Sequence, residues 1–288
     1  IRKLAREIVL IDIHEEKTIG EALDIQHGIP DMGISSVRAG TYADCKDCDL
    51  IIITAGRNRK RGESRLDLIA GNSAILKDVV GQMKPYYTKG VIMIVSNPVD
   101  VLVYQCTKWM GLPNGMVFGT GCILDSSRFT RLIADYTHLN TEVVKATIVG
   151  EHGDAQIPIW SRASIAGVPL QEYCENVGLK WDEEIRKEIS DKVREMGATI
   201  IKGKGRTHYG IATCVCYLAE AVLNQRLTIA PVSTMFQGEY GIEDVCLSVP
   251  SIIGVNGVEK RLEERWAEEE FQAFRQAADK MKKVLKTL

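Results

Sequence analysis

The sequence of 288 residues lacks both a strong net charge and any long apolar run. Its 36 lysines and arginines nearly balance its 38 aspartates and glutamates, and the formal net charge of −2 gives no indication of a nucleic-acid partner. The apolar runs fall far short of the ~18 residues that a membrane-spanning helix needs. No signal peptide, internal repeat or low-complexity linker is visible. We therefore expect a cytoplasmic protein of one large unit or two domains, without nucleic-acid or membrane partners.

The eight cysteines lack the spacing of a small disulfide-rich scaffold, and they suit a reducing compartment. Cys45 and Cys48 form a C-x-x-C pair, which in some proteins binds zinc or carries out redox chemistry. A tetrahedral zinc site needs four ligands, and no second C-x-x-C pair exists to complete it. Cys214 and Cys216 stand two apart in a helical pattern, so they face different directions and are interpreted as packing residues. We expect no metal site.

A glycine-rich turn is also missing where a nucleotide-binding fold would have one. Residues 7–13, EIVLIDI, predict a buried strand ending near Asp12, where a Rossmann unit places the acid that binds ribose hydroxyls. The G-x-G-x-x-G turn should precede this acid by about 20 residues. Only 11 residues come before Asp12, and none is glycine. We interpret residues 1–6 as the end of a helix, and we expect the first strand and the pyrophosphate turn to belong to a segment outside this sequence.

Strands and helices alternate along the first part of the chain, which is the pattern of a parallel sheet covered by helices. Beyond about residue 120, long helices mix with short strands. We predict an α/β fold, with a Rossmann doubly wound parallel sheet in residues 1–120 and an α+β substrate domain in residues 121–288. Further strands are predicted at 50–54, 91–95, 228–234 and 244–249, and helices at 182–203, 208–224 and 262–286.

The segment IVGEHGD at 148–154 places one histidine, His152, in a setting suited to proton transfer. The apolar residues before it predict a buried strand that leads into this segment. Glycines on both sides let a ligand approach, and a histidine can donate or accept a proton near neutral pH. These features favour a general acid/base, although a solvent-facing loop histidine fits the same residues.

Three other segments contain candidate binding residues. In LDSSRF, Asp125 and Arg128 stand three apart at the start of a predicted helix, so they share one face. GESRLDL offers Arg65 next to a loop rich in basic residues, and VSNPVD is a buried strand that stops at Asn97. Each segment also has an ordinary interpretation: an ion pair on a helix face, a solvated basic loop, or a strand-to-helix turn.

Taken together and in this order, these segments resemble the L-lactate/malate dehydrogenase family, and its lactate branch more closely. GEHGD and LDSSR are the most specific motifs, and the likeness runs from Glu7 to the C-terminal helix. The resemblance implies an NAD-dependent oxidoreductase that interconverts a small 2-keto acid and an L-2-hydroxy acid, most closely pyruvate and L-lactate in glycolysis. It also implies a homo-oligomer, either a tetramer or a dimer.

The resemblance assigns roles to matching residues. His152 resembles the catalytic acid/base, Asp125 its carboxylate partner, Arg128 the clamp on the substrate carboxylate, and Arg65 the loop arginine that polarises the reacting carbonyl. The residues implied to bind the substrate are Arg59, Arg65, Asn97, Arg128 and Thr207. The residues implied to bind the cofactor are Asp12, Lys17, Tyr42, Thr54, Ala55, Gly56, Arg57, Val95, Asn97 and Thr120.

Elementary chemistry supports these roles. A carboxylate beside His152 favours the imidazolium, which can give its proton to a developing alkoxide. An arginine fork binds a carboxylate through two parallel hydrogen bonds, which lysine cannot do. A second arginine can place positive charge where the oxyanion forms. At the end of the first strand, the carboxylate of Asp12 repels a 2′-phosphate, so NAD is favoured over NADP.

The choice of substrate depends on Arg59, which occupies the position where lactate enzymes of this family have glutamine and malate enzymes have arginine. Taken alone, Arg59 favours a second carboxylate, as in oxaloacetate, because an unpaired charge in a closed pocket is costly. Glu63, Glu151 and Thr207 match the lactate branch instead, and Glu63 is close enough in sequence to hold Arg59 away from the substrate. We favour pyruvate, with malate dehydrogenase as the alternative.

Two further expectations concern regulation and activity. Many bacterial lactate dehydrogenases bind fructose 1,6-bisphosphate through an arginine and a histidine, and the matching positions here are Thr130 and Lys145. Loss of the arginine removes a bidentate phosphate ligand, so we expect weak or no activation. A dehydrogenase fold reused as a non-catalytic binding protein is the alternative from another class, and the intact set of chemical residues argues against it.

Overall fold

The computed structural model describes residues 3–32, 36–58 and 63–288. Its helices are α1 (Glu15–Met32), α2 (Arg65–Met83), α3 (Val99–Met110), α4 (Ile123–Thr137), α5 (Leu170–Val177), α6 (Glu183–Lys204), α7 (Tyr209–Leu223) and α8 (Glu268–Leu285). Its strands are β1 (Glu7–Leu10), β2 (Ser36–Ala39), β3 (Leu50–Ile53), β4 (Val91–Ile94), β5 (Val117–Gly119), β6 (Val144–Lys145), β7 (Ile148–Gly150), β8 (Gln156–Pro158), β9 (Ser164–Ile165), β10 (Val168–Pro169), β11 (Thr228–Gln237), β12 (Glu243–Gly254) and β13 (Gly257–Arg261). Among the described residues, no helix combines the length and apolar character needed to cross a membrane.

The first part of the fold contains parallel strands, as the alternating pattern predicts. β1 pairs with β2, and β3, β4 and β5 lie side by side in that order. All four residues of β4 are fully buried, because helices cover the sheet on both faces. Ile92 and Ile94 pack with α2 and α3, whereas Val91 and Met93 pack with α7, as expected from the alternation of side chains along a strand.

The second part continues the sheet of β3, β4 and β5 with antiparallel strands, whereas β1 and β2 form a separate two-stranded sheet. β11 pairs with β5 on one side and with β12 on the other, and β12 then pairs with β7. β7 pairs with β8, and β13 also pairs with β12. The long strands β11 and β12 therefore connect β5, which precedes α4, to β7, which precedes His152.

Two sequence predictions need correction. Residues 1–6 were expected to end a helix, but residues 3–5 have no regular structure, because Lys3 has a φ of 54° that a right-handed helix cannot continue. The C-terminal helix begins at Glu268 instead of residue 262, because β13 runs to Arg261 and Leu262 still donates to Pro250 of the neighbouring strand. The acids at the start of α8 and the lysines near its end match the helix dipole, as predicted.

Candidate active site

The candidate catalytic residues come from two elements that meet beside the central sheet. Asp125 and Arg128 lie in the first two turns of α4, which begins shortly after β5 ends. His152 follows β7 by two residues, and Gly150 at the end of that strand has a φ of 90°, a conformation that favours glycine. Strand β12 pairs with β7 at Gly150 and also binds the start of α4, since the Ser248 hydroxyl accepts from the Cys122 N–H.

The three side chains form a continuous row. The His152 Nδ1 atom lies 2.5 Å from Asp125 Oδ2, and the Arg128 Nη1 atom donates to Asp125 Oδ1 over 2.7 Å. The Asp125 side chain is 3% exposed, while Arg128 and His152 retain 16% and 25% exposure. The carboxylate is thus buried between two partly accessible groups. The spacing in LDSSRF predicts that Asp125 and Arg128 share a face, and the family resemblance implies that Asp125 is the partner of His152.

Burial and charge act in opposite directions on this pair. Burial lowers the pKa of His152, but its hydrogen bond to Asp125 and the charges of Asp125 and Asp100 outweigh that effect and leave the pKa raised, despite the opposing charge of Arg128. Burial likewise raises the pKa of Asp125, yet the His152 and Arg128 contacts leave it below its usual value. Both shifts favour an imidazolium–carboxylate pair near neutral pH. With Nδ1 bound to Asp125, Nε2 is the ring nitrogen that can donate to a ligand.

A cavity of about 660 Å³ adjoins this row, and helices α4, α6 and α7 enclose it. Arg128 and Thr207 both line it, so the structure brings together two residues predicted to bind the substrate. Apolar side chains cover much of the remaining wall, namely Leu124, Met196, Ile200 and Ile211. The wall also carries charged side chains from α6, namely Lys192, Glu195 and Lys204. A cavity of this size that combines apolar and polar side chains is typical of a pocket for a small organic ligand.

The predicted substrate residues near the basic loop are only partly described. Arg59 lies outside the described residues, and Arg65 is described as the first residue of α2 but without its side chain. Glu63 accepts a hydrogen bond from Arg57 Nη1 over 2.6 Å, so its described ion pair is with Arg57. The expectation that Glu63 holds Arg59 away from the substrate is not tested by the described residues and stays a prediction.

Asn97 lies three residues beyond the end of β4, is exposed, and precedes a cis bond to Pro98. Its main-chain carbonyl accepts from the Asn72 amide over 2.6 Å. The same Asn72 side chain accepts from the main-chain N–H of Arg57 and donates to its carbonyl. Sequence reasoning missed Asn72, which is 2% exposed; a buried asparagine on the inner face of α2 was the available signal.

The predicted cofactor residues lie where strands of the parallel sheet end. Asp12 follows β1, and it is exposed while its Oδ1 atom accepts from the main chain of His14. Thr54, Ala55 and Gly56 follow β3, and Val95 and Thr120 follow β4 and β5. Lys17 is exposed on the first turn of α1, and the Arg57 side chain points instead to Glu63 and the Asp67 carbonyl.

Tyr42 lies near Asp12, which follows β1, and near Asp78 on α2. Burial raises the pKa of Tyr42, and the nearby charges of Asp78 on α2 and Asp12 beyond β1 act in the same direction. An exposed carboxylate just after β1, near the ring of Tyr42, fits the ribose and base of a dinucleotide. The residues present therefore fit NAD, and Asp12 would hold the ribose hydroxyls.

The cysteines occupy packing positions. Cys45 is buried, and burial raises its pKa to about 11; burial also raises the pKa of Cys48, whose thiol donates to the Asp44 carbonyl. Cys214 packs on α7 against the central sheet. In the described ranges, no group of three or more histidine, cysteine or acidic residues is placed to hold a metal ion.

Comparison with known proteins identifies the family. Residues 1–119 match the NAD-binding domain of lactate/malate dehydrogenase, and residues 122–288 match its alpha/beta C-terminal domain. The chain belongs to the lactate/malate dehydrogenase family. This confirms the family and the α/β fold expected from the sequence, and the matched NAD-binding domain agrees with NAD as the cofactor.

Relatives of known structure and sequence give the same result. L-lactate dehydrogenase of Thermoanaerobacterium saccharolyticum is 42% identical over 98% of this chain and 91% of its own. A crystal structure of a minor L-lactate dehydrogenase from Enterococcus mundtii, in a ligand-bound form, matches with a TM-score of 0.94 at 38% identity, covering 99% of this chain and 90% of that one. L-lactate dehydrogenase of Clostridium thermocellum matches with a TM-score of 0.86 at 43% identity, covering 100% and 92%.

Proposed function

We propose that the protein is an NAD-dependent L-lactate dehydrogenase, which reduces pyruvate to L-lactate and catalyses the reverse reaction. The observation that carries this proposal is the row of His152, Asp125 and Arg128 beside a pocket lined by Thr207. Relatives at about 40% identity over nearly the whole chain are named L-lactate dehydrogenase. The same names favour pyruvate over oxaloacetate as the substrate.

The chain's own residues bind, orient and protonate the substrate. Arg128 holds the substrate carboxylate. Its Nη1 group donates to Asp125, and this hydrogen bond fixes the plane of the guanidinium. The chemistry supplied by bound NADH is hydride transfer to the carbonyl carbon. As the carbonyl oxygen gains charge, His152 donates its Nε2 proton to it, and the imidazolium becomes neutral imidazole. Lactate oxidation returns that proton to the same nitrogen.

The remaining roles rest on the family likeness. We propose that Arg65 polarises the carbonyl, that Asn97 and Thr207 complete the pocket, and that Arg59 is held out of it. The cofactor residues predicted at the strand ends keep the same proposed role. A positive charge beside the forming oxyanion stabilises the transition state. We therefore expect replacement of Arg65 to lower kcat.

We also propose that residues 1–120 and 121–288 form the cofactor and substrate domains, which the boundaries of the two family matches support. A homo-oligomeric assembly, a tetramer or a dimer, is proposed from the family likeness. A cytoplasmic location and a role in glycolysis follow from the proposed substrate and from eight cysteines that are all unpaired.

The direct test is the initial rate of NADH oxidation with pyruvate and, separately, with oxaloacetate. A higher kcat/KM for pyruvate is the expected result. A preference for oxaloacetate would instead make the protein a malate dehydrogenase in which Arg59 binds the second carboxylate. No turnover with either acid, in protein that binds NADH, would favour the non-catalytic alternative.

The variant Arg59→Gln sharpens this test. If Arg59 stays out of the pocket, the ratio of pyruvate to oxaloacetate kcat/KM changes by less than about tenfold, the equivalent of one charge-assisted hydrogen bond. A larger shift towards pyruvate would show that the arginine selects dicarboxylates in the wild-type protein. The exposed Arg131 on α4 provides a matched control, Arg131→Gln.

A further inference from the structure

A second buried carboxylate lies directly behind the candidate acid/base. Asp100, the second residue of α3, is 2% exposed. Its Oδ2 atom accepts the main-chain N–H of His152 over 2.8 Å, and its Oδ1 atom accepts the Ser233 hydroxyl over 2.6 Å. Ser233 lies on β11 and is fully buried. Asp100 therefore joins α3, the loop after β7 and β11 at a single point.

These contacts favour the ionised form of Asp100. A main-chain N–H can only donate, so Oδ2 must act as an acceptor. If Oδ1 carried a proton, it would donate to the Ser233 oxygen. The hydroxyl hydrogen of Ser233 would then have no partner among the described residues. Burial, together with the nearby charge of Asp125, leaves the pKa of Asp100 above its usual value, although the two donated hydrogen bonds and the charge of His152 lower it. It is therefore the hydrogen-bond geometry that favours the ionised form.

The main-chain contact is important because Asp125 alone cannot fix His152. The Asp125 bond determines the direction of the imidazole ring, but the position of the ring also depends on where its main chain lies. That main chain lies between Gly150 and Gly153, which have φ values of 90° and 151°, and glycine restricts the backbone less than other residues do. A buried carboxylate that accepts from the N–H provides an external anchor.

We propose that Asp100, supported by Ser233, is a positioning residue for the acid/base: it fixes the main chain of His152, and its charge adds to that of Asp125 in stabilising the imidazolium. This inference rests on the proposed function for its kinetic consequences. Its effect on the protonation of His152 does not depend on any substrate. Asp100 is not a catalytic residue, because it contacts only the chain around the histidine.

Among the described residues, three charges shift the pKa of His152: Asp125 and Arg128 act from α4, and Asp100 acts from α3. Glu151, the residue before His152, is also buried. Cys122 at the start of α4 and Cys246 on β12 also lie near Asp100, but burial raises the pKa of both thiols well above the usual value, so they are neutral. Removal of the Asp100 charge should therefore lower the pKa of His152, and the charge of Asp125 also interacts with Asp100.

The test compares Asp100→Asn, Asp100→Ala and Ser233→Ala with the control Ser251→Ala. Ser251 is fully buried on the neighbouring strand β12, and its hydroxyl donates to Val249, away from the site. Asparagine can still accept the His152 N–H but carries no charge. Thermal unfolding of each variant identifies any that fails to fold, and Asp100→Asn and Ser233→Ala remain informative if Asp100→Ala does fail.

The first measurement is an NMR titration of the His152 imidazole, identified among the five histidines by its loss in His152→Gln. We expect Asp100→Asn to lower the pKa of His152 by about half a unit or more. In pyruvate reduction, the high-pH fall of kcat/KM should move to lower pH by the same amount. An unchanged His152 titration in Asp100→Asn would overturn the proposed effect of charge.

The second measurement separates kcat from KM. We expect Asp100→Ala to lower kcat about 100-fold with little change in KM for pyruvate, since Arg128 still binds the carboxylate. Asp100→Asn should recover much of that loss, and Ser233→Ala should fall between Asp100→Asn and Ser251→Ala. Equal kcat values in all four variants would overturn the positioning role. Wild-type protein without pyruvate turnover would contradict the proposed function instead, and the titration would still decide this inference.

Discussion

The region around His152 and the edge that is proposed to bind the cofactor are built in opposite ways. Asp125 and Asp100 are almost completely buried, and each has two hydrogen-bond partners within the chain. Asp12 and Lys17 are exposed, and the only described hydrogen bond of the Asp12 side chain is to a residue two positions away. A group that transfers a proton must be in place before the substrate arrives, whereas a group that binds a large cofactor must stay open to receive it.

The largest expected effect comes from removing the acid/base in the buried region. We expect His152→Gln to lower kcat for pyruvate reduction about 10³-fold, because glutamine can hydrogen-bond the substrate oxygen but cannot protonate it. NADH binding, measured by fluorescence titration, should be retained. His27→Gln, which changes an exposed histidine on α1, is the matched control. Activity within tenfold of wild type in His152→Gln would contradict the role proposed for this residue.

The charge on Asp125 should produce the next largest effect. The pKa of His152 is raised, so pyruvate reduction should be fastest at low pH and fall as the pH rises through that pKa. Asp125→Asn removes the main source of the increase, and we expect the fall to move to lower pH by roughly one unit, with about 100-fold lower kcat/KM at neutral pH. A pH profile that stays in place would show that Asp125 does not control the protonation of His152.

A smaller change is expected at the open cofactor edge. Asp12→Ala should raise KM for NADH about tenfold, the cost of one hydrogen bond to a charged group, and leave kcat almost unchanged. The preference for NADH over NADPH should narrow, because the carboxylate no longer repels a 2′-phosphate. A loss of kcat with normal KM would indicate that Asp12 acts on the chemical step and would contradict the contrast between the two regions.

The smallest expected effect is that of fructose 1,6-bisphosphate. At the positions expected to bind it, Thr130 is partly buried and its hydroxyl lies near the Ala146 carbonyl, while Lys145 is exposed. Neither residue offers the planar fork of an arginine. We expect KM for pyruvate to stay unchanged when the sugar phosphate is added. A large decrease in KM would refute this prediction and place a phosphate site near β6.

Local patterns in the sequence were sufficient to predict much of the molecule. The three-residue spacing of Asp125 and Arg128 predicted a shared helix face, and the apolar run before GEHGD predicted the strand that precedes His152. The lengths of α6 and α7 were predicted to within one residue at each end. In each case the interactions that decide the structure join residues a few positions apart, so the local sequence pattern is enough to predict it.

Contacts between distant segments could not be predicted in this way. Asp100 and Ser233 are separated by 133 residues, and Asn72 reaches Asn97 across 25. Nothing in the sequence near Asp100 indicates that its carboxylate accepts the main chain of His152. The later start of α8 has the same cause, since Leu262 donates to Pro250, Glu264 donates to the Tyr240 hydroxyl, and Ala267 donates to the Ser161 hydroxyl.

The continuous sheet from β3 to β8 has a consequence for substrate selection. Ser233 on β11 pairs with Gly119 at the end of β5, and Ser248 on β12 pairs with Gly150 just before the acid/base. The ends of β3, β4 and β5 and the strand that precedes His152 therefore belong to one hydrogen-bonded sheet, which resists hinge bending between them. The sheet therefore fixes the distance between His152, the proposed proton donor, and the ends of these strands. A ligand whose reacting atoms do not match that distance cannot be accommodated by movement of the sheet.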